Sequence, residues 1–205
     1  MKKLGAGRES QVFDLGEGRV LRHGGFPERE AAVMAHARAA GYPVPKVLEI
    51  RDDALVLELV EGPTMLADLG RRPWRLRAHA RALASLHRDL HGVDYEDGRL
   101  LHFDLHPENV ILGSSGPVVI DWTNARSGDP AVDVALTWLI ARTSGGLGGR
   151  LFSHPFLACF DRADIERALP EAAAFRLADP NVRAEERAAV RALLANRCGG
   201  AARAR

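Results

Sequence analysis

The sequence predicts an α+β protein with two lobes that share a cleft, a small β-rich lobe at residues 1–62 and an α-rich lobe at residues 63–205. Three observations favour this bilobal fold. Apolar runs of strand length, separated by turn residues, fill the N-terminal part. Apolar residues recur at helical spacing beyond it. A polar, loop-rich stretch at residues 100–129 interrupts the helical part, and a chain of 205 residues has room for two such lobes.

The N-terminal lobe is predicted to be a small sheet with one helix. The segment from Gly16 to Gly18 has the turn chemistry of a β-hairpin and is flanked by strand-like runs. A helix is predicted from Pro27 to about Ala40, because proline suits a first turn and Gly41 suits a stop. The predicted strands are residues 11–15, 19–22, 45–50 and 54–60.

The C-terminal lobe is predicted to be mainly helical. Residues 61–64 contain Gly and Pro and are the predicted hinge between the lobes. From Pro73 to Leu90 the apolar residues follow one face of an amphipathic helix. The Gly-rich residues 144–149 are predicted to be a flexible break. The other predicted helices are residues 130–141, 151–169 and 183–197.

Composition excludes several classes of function. The formal net charge is +1, which argues against a strongly basic nucleic-acid binder. No apolar run has the length of a membrane helix, and the N-terminus lacks the apolar core of an export signal. The two cysteines, Cys159 and Cys198, lack metal or disulfide spacing. We therefore expect a cytoplasmic enzyme or binding protein without a nucleic-acid or membrane partner.

A predicted hairpin carries the polar residues that point to chemistry. Asn109 precedes its first strand and Asp121 follows its second, and both are equidistant from Ser115. Antiparallel pairing about Ser115 would place Asn109 and Asp121 side by side, where their oxygens suit Mg²⁺ on a phosphate. Asp104 is close enough in sequence to reach the same site as a base. The alternative is that these side chains only cap turns at the mouth of the hairpin.

This stretch resembles a known family. The pattern His102-x-Asp104-x4-Asn109, followed by Asp121, is similar to the catalytic loop and metal-binding aspartate of the protein-kinase-like fold. With His106-Pro in the loop and Asp-Trp at Asp121, it resembles the aminoglycoside phosphotransferase and choline-kinase-like branch. The resemblance implies that Asp104 orients and deprotonates an acceptor hydroxyl on a small molecule. It also implies that Asn109 and Asp121 hold Mg²⁺ on ATP, whose γ-phosphoryl group is transferred.

The resemblance extends to the N-terminal lobe, which it makes the nucleotide-binding lobe. Gly5, Gly7 and Ser10 resemble a Gly-rich phosphate loop, in which small residues let backbone N–H groups approach phosphate oxygens. A plain turn is the alternative. The segment from Glu58 to Val60 would meet the adenine through backbone groups, and its alternative is a simple buried strand.

One residue of this lobe departs from the family pattern. Arg22 stands where the family usually has a phosphate-pairing lysine. Arginine keeps the charge but is bulkier and forked, so either this branch tolerates it or nucleotide handling is weaker. The resemblance implies that Glu30 pairs with this cation. Glu28 is a competitor, and either carboxylate could instead be a solvated residue at a helix start.

Two aspartates after the hairpin have expected structural roles. Asp133 resembles the aspartate that accepts hydrogen bonds from the backbone of the catalytic loop. Asp129 is expected to cap the helix that begins at Pro130.

Two other classes of function remain open. A pseudokinase would bind nucleotide without turnover, and Arg22 is its main support. A zinc-dependent hydrolase would need His102, Asp104 and His106 on one face of an extended segment. His87 and His91, one helical turn apart, could complete its zinc site. A satisfied core histidine is the commoner explanation for His87.

The charge of the C-terminal region bears on the acceptor. From Arg142 onward there are eleven arginines but only seven acidic residues. A pocket for a polycationic aminoglycoside should be rich in carboxylates. This balance favours a neutral or anionic hydroxyl compound as the acceptor.

Overall fold

The computed structural model describes residues 2–6 and 11–201, and these form a small antiparallel sheet lobe and a helical lobe. The predicted α+β bilobal fold is confirmed. Within the described residues, no helix is both long enough and apolar enough to cross a membrane.

The small lobe is a five-stranded antiparallel sheet with the strand order β1-β2-β3-β5-β4. Both strands of the predicted hairpin are present, and their turn contains Gly16 and Gly18 at positive φ angles of 78° and 71°. These angles favour glycine because L side chains are strained there. The strands are β1 (Lys2–Ala6), β2 (Gln11–Gly16), β3 (Arg19–His23), β4 (Val47–Arg51) and β5 (Ala54–Glu58).

The single helix of this lobe, α1 (Pro27–Ala39), packs against β4 and β5. It begins and ends close to its predicted bounds, and Gly41 follows it with a φ of +82°. Its buried face includes Val33 and Met34, and Glu30 is also buried there. A buried glutamate on an apolar face needs a partner, which is described below.

The segment predicted as a hinge is anchored to the helical lobe. Gly62 has a φ of +148°, and a methyl group at this position would overlap the backbone of Leu112. The Leu112 N–H donates a 2.9 Å hydrogen bond to the carbonyl oxygen of Pro63. Thr64 then caps α2 (Met65–Arg71), a short helix that the sequence did not predict. The lobe boundary between residues 62 and 63 stays a prediction.

The helical lobe is built around α4, in which residues 131–140 are all buried. A helix that is buried on every side must be surrounded, and α4 packs against α5, α6 and α7 and also meets α3 through His87 and His91. Short strands complete the lobe: β6 (Asp94–Tyr95), β7 (Gly98–Leu101) and β10 (Arg126–Gly128) form one sheet, and β8 (Val110–Gly113) and β9 (Gly116–Val119) form a hairpin. The remaining helices are α3 (Leu76–His91), α4 (Pro130–Ser144), α5 (Gly146–Leu157), α6 (Arg162–Ala178) and α7 (Ala184–Ala201).

Two predictions for this lobe are wrong. The Gly-rich residues 144–149 are not a flexible break, because α5 already begins at Gly146. The predicted helix at residues 151–169 is interrupted after Leu157, and Asp161 caps the start of α6. The first error arises from tertiary contact, since glycine at 149 allows α5 to approach α4 more closely than any side chain would permit.

We predict that Gly149→Ala destabilises the protein although alanine is the better helix former. The new methyl group would overlap the carbonyl oxygen of Ala141, so the two helices must separate. We expect the free energy of unfolding to fall by about 1–3 kcal/mol, measured by urea denaturation.

Gly148→Ala is the matched control. It lies on the same helix with no atom within 4 Å of the added methyl group. Its free energy of unfolding should stay unchanged or rise by up to about 1 kcal/mol. Equal effects of the two substitutions would contradict the close packing of α4 on α5.

Candidate active site

The segment after β7 is held in place by the carboxylate of Asp133. The backbone N–H of His102 donates to Asp133 Oδ2 at 3.1 Å, and the N–H of Phe103 donates to Oδ1 at 2.9 Å. Phe103 has a positive φ of 61°, an unfavourable conformation that these two hydrogen bonds help to maintain. Burial alone would raise the pKa of Asp133, but the imidazoles of His87 and His91 lower it well below its ordinary value. This geometry is the one expected for Asp133.

The imidazole of His102 joins this segment to the hairpin. Its Nδ1 accepts the Asp104 N–H at 3.3 Å, so its Nε2 carries the proton and donates to the Ile120 carbonyl at 3.1 Å. Burial lowers the pKa of His102 and favours this neutral form. The left-handed Phe103 interrupts the extended segment that the zinc hydrolase hypothesis requires, so that arrangement of His102, Asp104 and His106 is wrong.

Asp104 lies at the centre of the loop as an ionised acceptor. The Asn109 Nδ2 group donates to the Asp104 carbonyl at 2.8 Å and to its Oδ2 at 3.3 Å. His106 Nε2 lies 3.5 Å from the other carboxylate oxygen. Burial alone would raise the pKa of Asp104, but His106, together with the charge of Arg176, lowers it. Asp104 can therefore orient a hydroxyl group and accept its proton.

The register of the hairpin differs from the prediction by one residue. Val110 pairs with Val119, and the Ile120 N–H donates to the Asn109 carbonyl at 3.0 Å. Asn109 therefore lies opposite Ile120 and not opposite Asp121. The turn between Gly113 and Gly116 has two residues. The predicted symmetry about Ser115 would have required an odd number of turn residues. Asp121 lies just beyond the pair and has a positive φ of 65°.

Asp121 is directed toward the small lobe, where Arg22 binds it. Arg22 Nη2 donates to Asp121 Oδ1 at 2.8 Å and to the hydroxyl of Thr123, while Nη1 donates to Glu30 Oε2 at 2.6 Å. Glu30 also accepts the Trp122 N–H at 3.2 Å. The arginine fork thus joins β3, α1 and the segment after β9. The sequence offered no signal for the participation of Thr123.

The partner of Arg22 is Glu30, whereas Glu28 is exposed on the same helix. Burial raises the pKa of Glu30 to about 7, and the charge of Asp121 adds to this rise. The charge of Arg22 and the Trp122 N–H act in the opposite direction.

The predicted phosphate loop is only partly described. Gly5 lies in strand β1, which pairs with β2 across an irregularity between Lys3 and Gly5. Gly7 and Ser10 lie outside the described residues.

The segment predicted to meet adenine, residues 58–60, lies at the end of strand β5. The Glu58 N–H donates to the Lys46 carbonyl at 3.0 Å, and the Glu58 side chain accepts the Lys46 N–H at 3.2 Å. Val60 is half-buried beyond the end of β5 and approaches Gly113 of the hairpin. This segment therefore lies between the sheet and the hairpin.

The chemistry of the donor set fits a magnesium ion. Because Asn109 donates through Nδ2, its Oδ1 is directed away from Asp104. Asp121 uses Oδ1 for Arg22 and Thr123, which leaves Oδ2 as a second hard oxygen ligand. Mg²⁺ prefers one or two such protein oxygens together with substrate phosphates.

Together, the sheet, the catalytic-type loop and the paired Arg22 and Glu30 define a kinase-like phosphotransferase. Two family models match the chain: one described as RIO domain over residues 25–132, which is more than half of the chain, and one described as Phosphotransferase enzyme family over residues 96–175. The chain belongs to the RIO domain family, whose model covers more than half of it, and part of the chain matches the phosphotransferase enzyme family. The resemblance to the aminoglycoside phosphotransferase and choline-kinase-like branch is confirmed.

Curated relatives match parts of the chain. It is 31% identical over 97 residues to the probable serine/threonine-protein kinase BUD32 homolog of Archaeoglobus fulgidus, covering 45% of this chain and 42% of that protein. It is 44% identical over 39 residues to a thiamine kinase of Salmonella paratyphi B, covering 19% and 14% respectively. The chain thus spans less than half the length of these relatives.

Solved structures match over most of the chain. The aminoglycoside phosphotransferase APH(2'')-Ib with ADP has a TM-score of 0.66 at 16% identity, covering 86% of this chain and 82% of that one. A choline/ethanolamine kinase family protein from Mesorhizobium loti has a TM-score of 0.66 at 18% identity, covering 94% and 87%. At these identities the likeness establishes the fold.

We predict that Glu30 makes stability fall as the pH rises. A carboxyl with a folded pKa of about 7 takes up a proton that the unfolded chain has lost, so its contribution is present at low pH. Relative to Glu30→Gln, the free energy of unfolding of the wild type should fall by up to roughly 3 kcal/mol between about pH 4.5 and 7.

The exposed Glu28→Gln on the same helix is the matched control, and its curve should run parallel to that of the wild type. Parallel curves for wild type and Glu30→Gln would show that Glu30 titrates like an ordinary carboxyl.

Proposed function

We propose that this protein transfers the γ-phosphoryl group of ATP, with Mg²⁺, directly to a hydroxyl group of a small molecule. The observation that carries the proposal is the arrangement of Asp104 and Asn109 on one loop with Asp121 and the Arg22–Glu30 pair beside the hairpin. Each group that a kinase reaction needs is thereby supplied: a proton acceptor, hard oxygen ligands and a positioned cation.

Asp104 acts on the acceptor. Its lowered pKa keeps the carboxylate ionised near neutral pH, so it orients the attacking hydroxyl and takes the proton as the oxygen bonds to phosphorus. Transfer is in line and forms no phosphoenzyme, because the carboxylate serves as base. Most of the acceleration comes from positioning and neutralisation of charge.

The small lobe handles the nucleotide. Asn109 and Asp121 would hold Mg²⁺, which would neutralise charge on the phosphates, and Arg22 would bind a phosphate oxygen by exchanging its contact with Asp121. The Gly5 region and the Glu58–Val60 segment contact phosphates and adenine through backbone groups. Related folds in complex with ADP or the ATP analogue AMP-PNP support the choice of nucleotide.

The acceptor is a neutral or anionic hydroxyl compound. The Arg126 guanidinium lies 4.4 Å from the ring centre of Phe103, the residue before Asp104, and 4.7 Å from that of Phe175. Arg176 also contributes positive charge at Asp104. These cations repel the amines of an aminoglycoside and attract a phosphate or carboxylate group.

A pseudokinase is not favoured, because each acidic and amide group of the catalytic arrangement is present. The decisive assay measures ADP formation with a panel of hydroxyl compounds that includes neutral, anionic and aminoglycoside acceptors, beside autophosphorylation. Efficient turnover of aminoglycosides would contradict the proposed acceptor class, and phosphorylation of protein alone would contradict a small-molecule acceptor. Tight binding of Mg·ATP without transfer to any acceptor would contradict the proposed reaction.

We predict that Asp104→Asn suppresses turnover and largely preserves nucleotide binding. The amide keeps the shape of the side chain but cannot take the proton from the acceptor, so kcat should fall by about 10²–10⁴-fold. The affinity for Mg·ATP, measured by calorimetry, should change little.

Glu108→Gln removes an exposed carboxylate from the same loop and should leave kcat unchanged. Full activity of Asp104→Asn would rule out Asp104 as the base.

We predict that Asp121→Ala, in contrast to Asp104→Asn, acts mainly on the binding of Mg·ATP. Loss of the carboxylate removes a Mg²⁺ ligand, so Mg·ATP should bind at least about tenfold more weakly. The loss should disappear when binding of ATP is measured in EDTA, since the carboxylate then has no metal to hold. An equal loss with and without Mg²⁺ would indicate a structural role through Arg22 instead.

A further inference from the structure

A second group of metal-ligating side chains lies behind the catalytic loop. His87 and His91 are one turn apart on α3 and face Asp133 on α4. The side chains of His87 and Asp133 are fully buried, and that of His91 is 9% exposed. One ligand atom from each residue lies within 4.8 Å of the other two.

Hydrogen bonding around His87 fixes the state of its ring. The Thr137 hydroxyl donates its only proton to the Leu105 carbonyl at 2.6 Å. It must therefore accept a hydrogen bond from His87 Nε2, which lies 3.1 Å away. In the neutral ring, the proton is on Nε2, and Nδ1 carries a lone pair.

That lone pair is directed at a carboxylate oxygen. His87 Nδ1 is buried without a hydrogen-bond partner and lies 3.6 Å from Asp133 Oδ2. A lone pair facing an anion is repulsive unless a cation lies between them. A proton does not fill this role, because 3.6 Å between His87 Nδ1 and Asp133 Oδ2 is too long for a side-chain hydrogen bond.

A zinc ion suits the spacing. Two ligands bound to tetrahedral zinc at about 2.0–2.1 Å lie roughly 3.3–3.4 Å apart. The distance from His87 Nδ1 to Asp133 Oδ2 is 3.6 Å, whereas His91 Nε2 lies at hydrogen-bond distance, 3.0 Å, from the same oxygen, and zinc would replace that hydrogen bond. The Nε2–H of His87 donating to Thr137 is also the outer hydrogen bond that orients zinc-binding histidines.

We propose that His87 Nδ1, His91 Nε2 and Asp133 Oδ2 bind a zinc ion that fixes α3 to α4 beneath the catalytic loop. A surface cavity of about 390 Å³, lined by His91, Asp129 and Phe160, gives solvent access for a water as fourth ligand. Asp133 also holds the amides of His102 and Phe103, so the ion stabilises the loop that carries Asp104. This site is separate from the proposed magnesium ligands and does not depend on the proposed reaction.

The test measures zinc binding by the full chain without an affinity tag, since a histidine tag would bind zinc itself. We expect one zinc per chain by native mass spectrometry, and a rise in the unfolding temperature on addition of zinc. Cobalt in place of zinc should produce the visible absorption bands of a tetrahedral site. His91→Gln should weaken zinc binding by at least about tenfold, because one of three protein ligands is lost.

His154→Gln, which removes an exposed histidine from α5, is the matched control and should bind zinc like the wild type. His87→Gln serves as the second ligand variant, with circular dichroism to verify its fold. The proposal is overturned if the wild type binds no stoichiometric zinc, in which case a proton joins the imidazoles to Asp133. It is also overturned if His91→Gln and a folded His87→Gln both bind zinc as tightly as the wild type.

Discussion

The interaction on which the active site depends is the buried carboxylate of Asp133 beneath the catalytic loop. It accepts two backbone N–H groups and lies at hydrogen-bond distance from His91 Nε2, so its desolvation is offset by several partners at once. These contacts keep Phe103 in a left-handed conformation, which turns Asp104 out of the line of β7. The proposed base, Asp104, is thus positioned by a helix that contributes no group to the proposed reaction.

The second constraint is the arginine fork that joins the two lobes. A lysine ammonium is a single point charge, whereas Arg22 uses one nitrogen for Glu30 and the other for Asp121. With arginine in place of the usual lysine, Asp121 therefore already has a cationic partner when no nucleotide is bound. In the proposed reaction, an incoming Mg·ATP would share or displace that contact. The contact with Arg22 would hold Asp121 in position but would weaken the affinity of Asp121 for the metal ion.

Local sequence patterns predicted most of the fold. They failed where contacts between distant residues determine the structure. The strands of the small lobe, the helix after Pro27 and the Asp129 cap are set by neighbouring residues, and the structure contains each of them. The hairpin register depended on the length of its turn, which alternation of apolar residues does not reveal. The start of α5 depended on the approach of another helix at Gly149. For the site, motif spacing identified Arg22 and Asp121 separately, but no spacing rule predicted their direct contact.

For the choice of acceptor, the position of each arginine matters more than the number of arginines. Counting eleven arginines against seven acidic residues treats each charge alike, yet Arg176 is buried and paired with Glu186 at 2.5 Å. Such a pair has little net field at long range, while a desolvated guanidinium over aromatic rings keeps its full charge. Arg126 is of this second kind, because it lies against Phe103, one residue from the base. The case for an acceptor without amines therefore depends on Arg126 and on the short-range charge of Arg176 at Asp104, and the surplus of arginines elsewhere adds little to it.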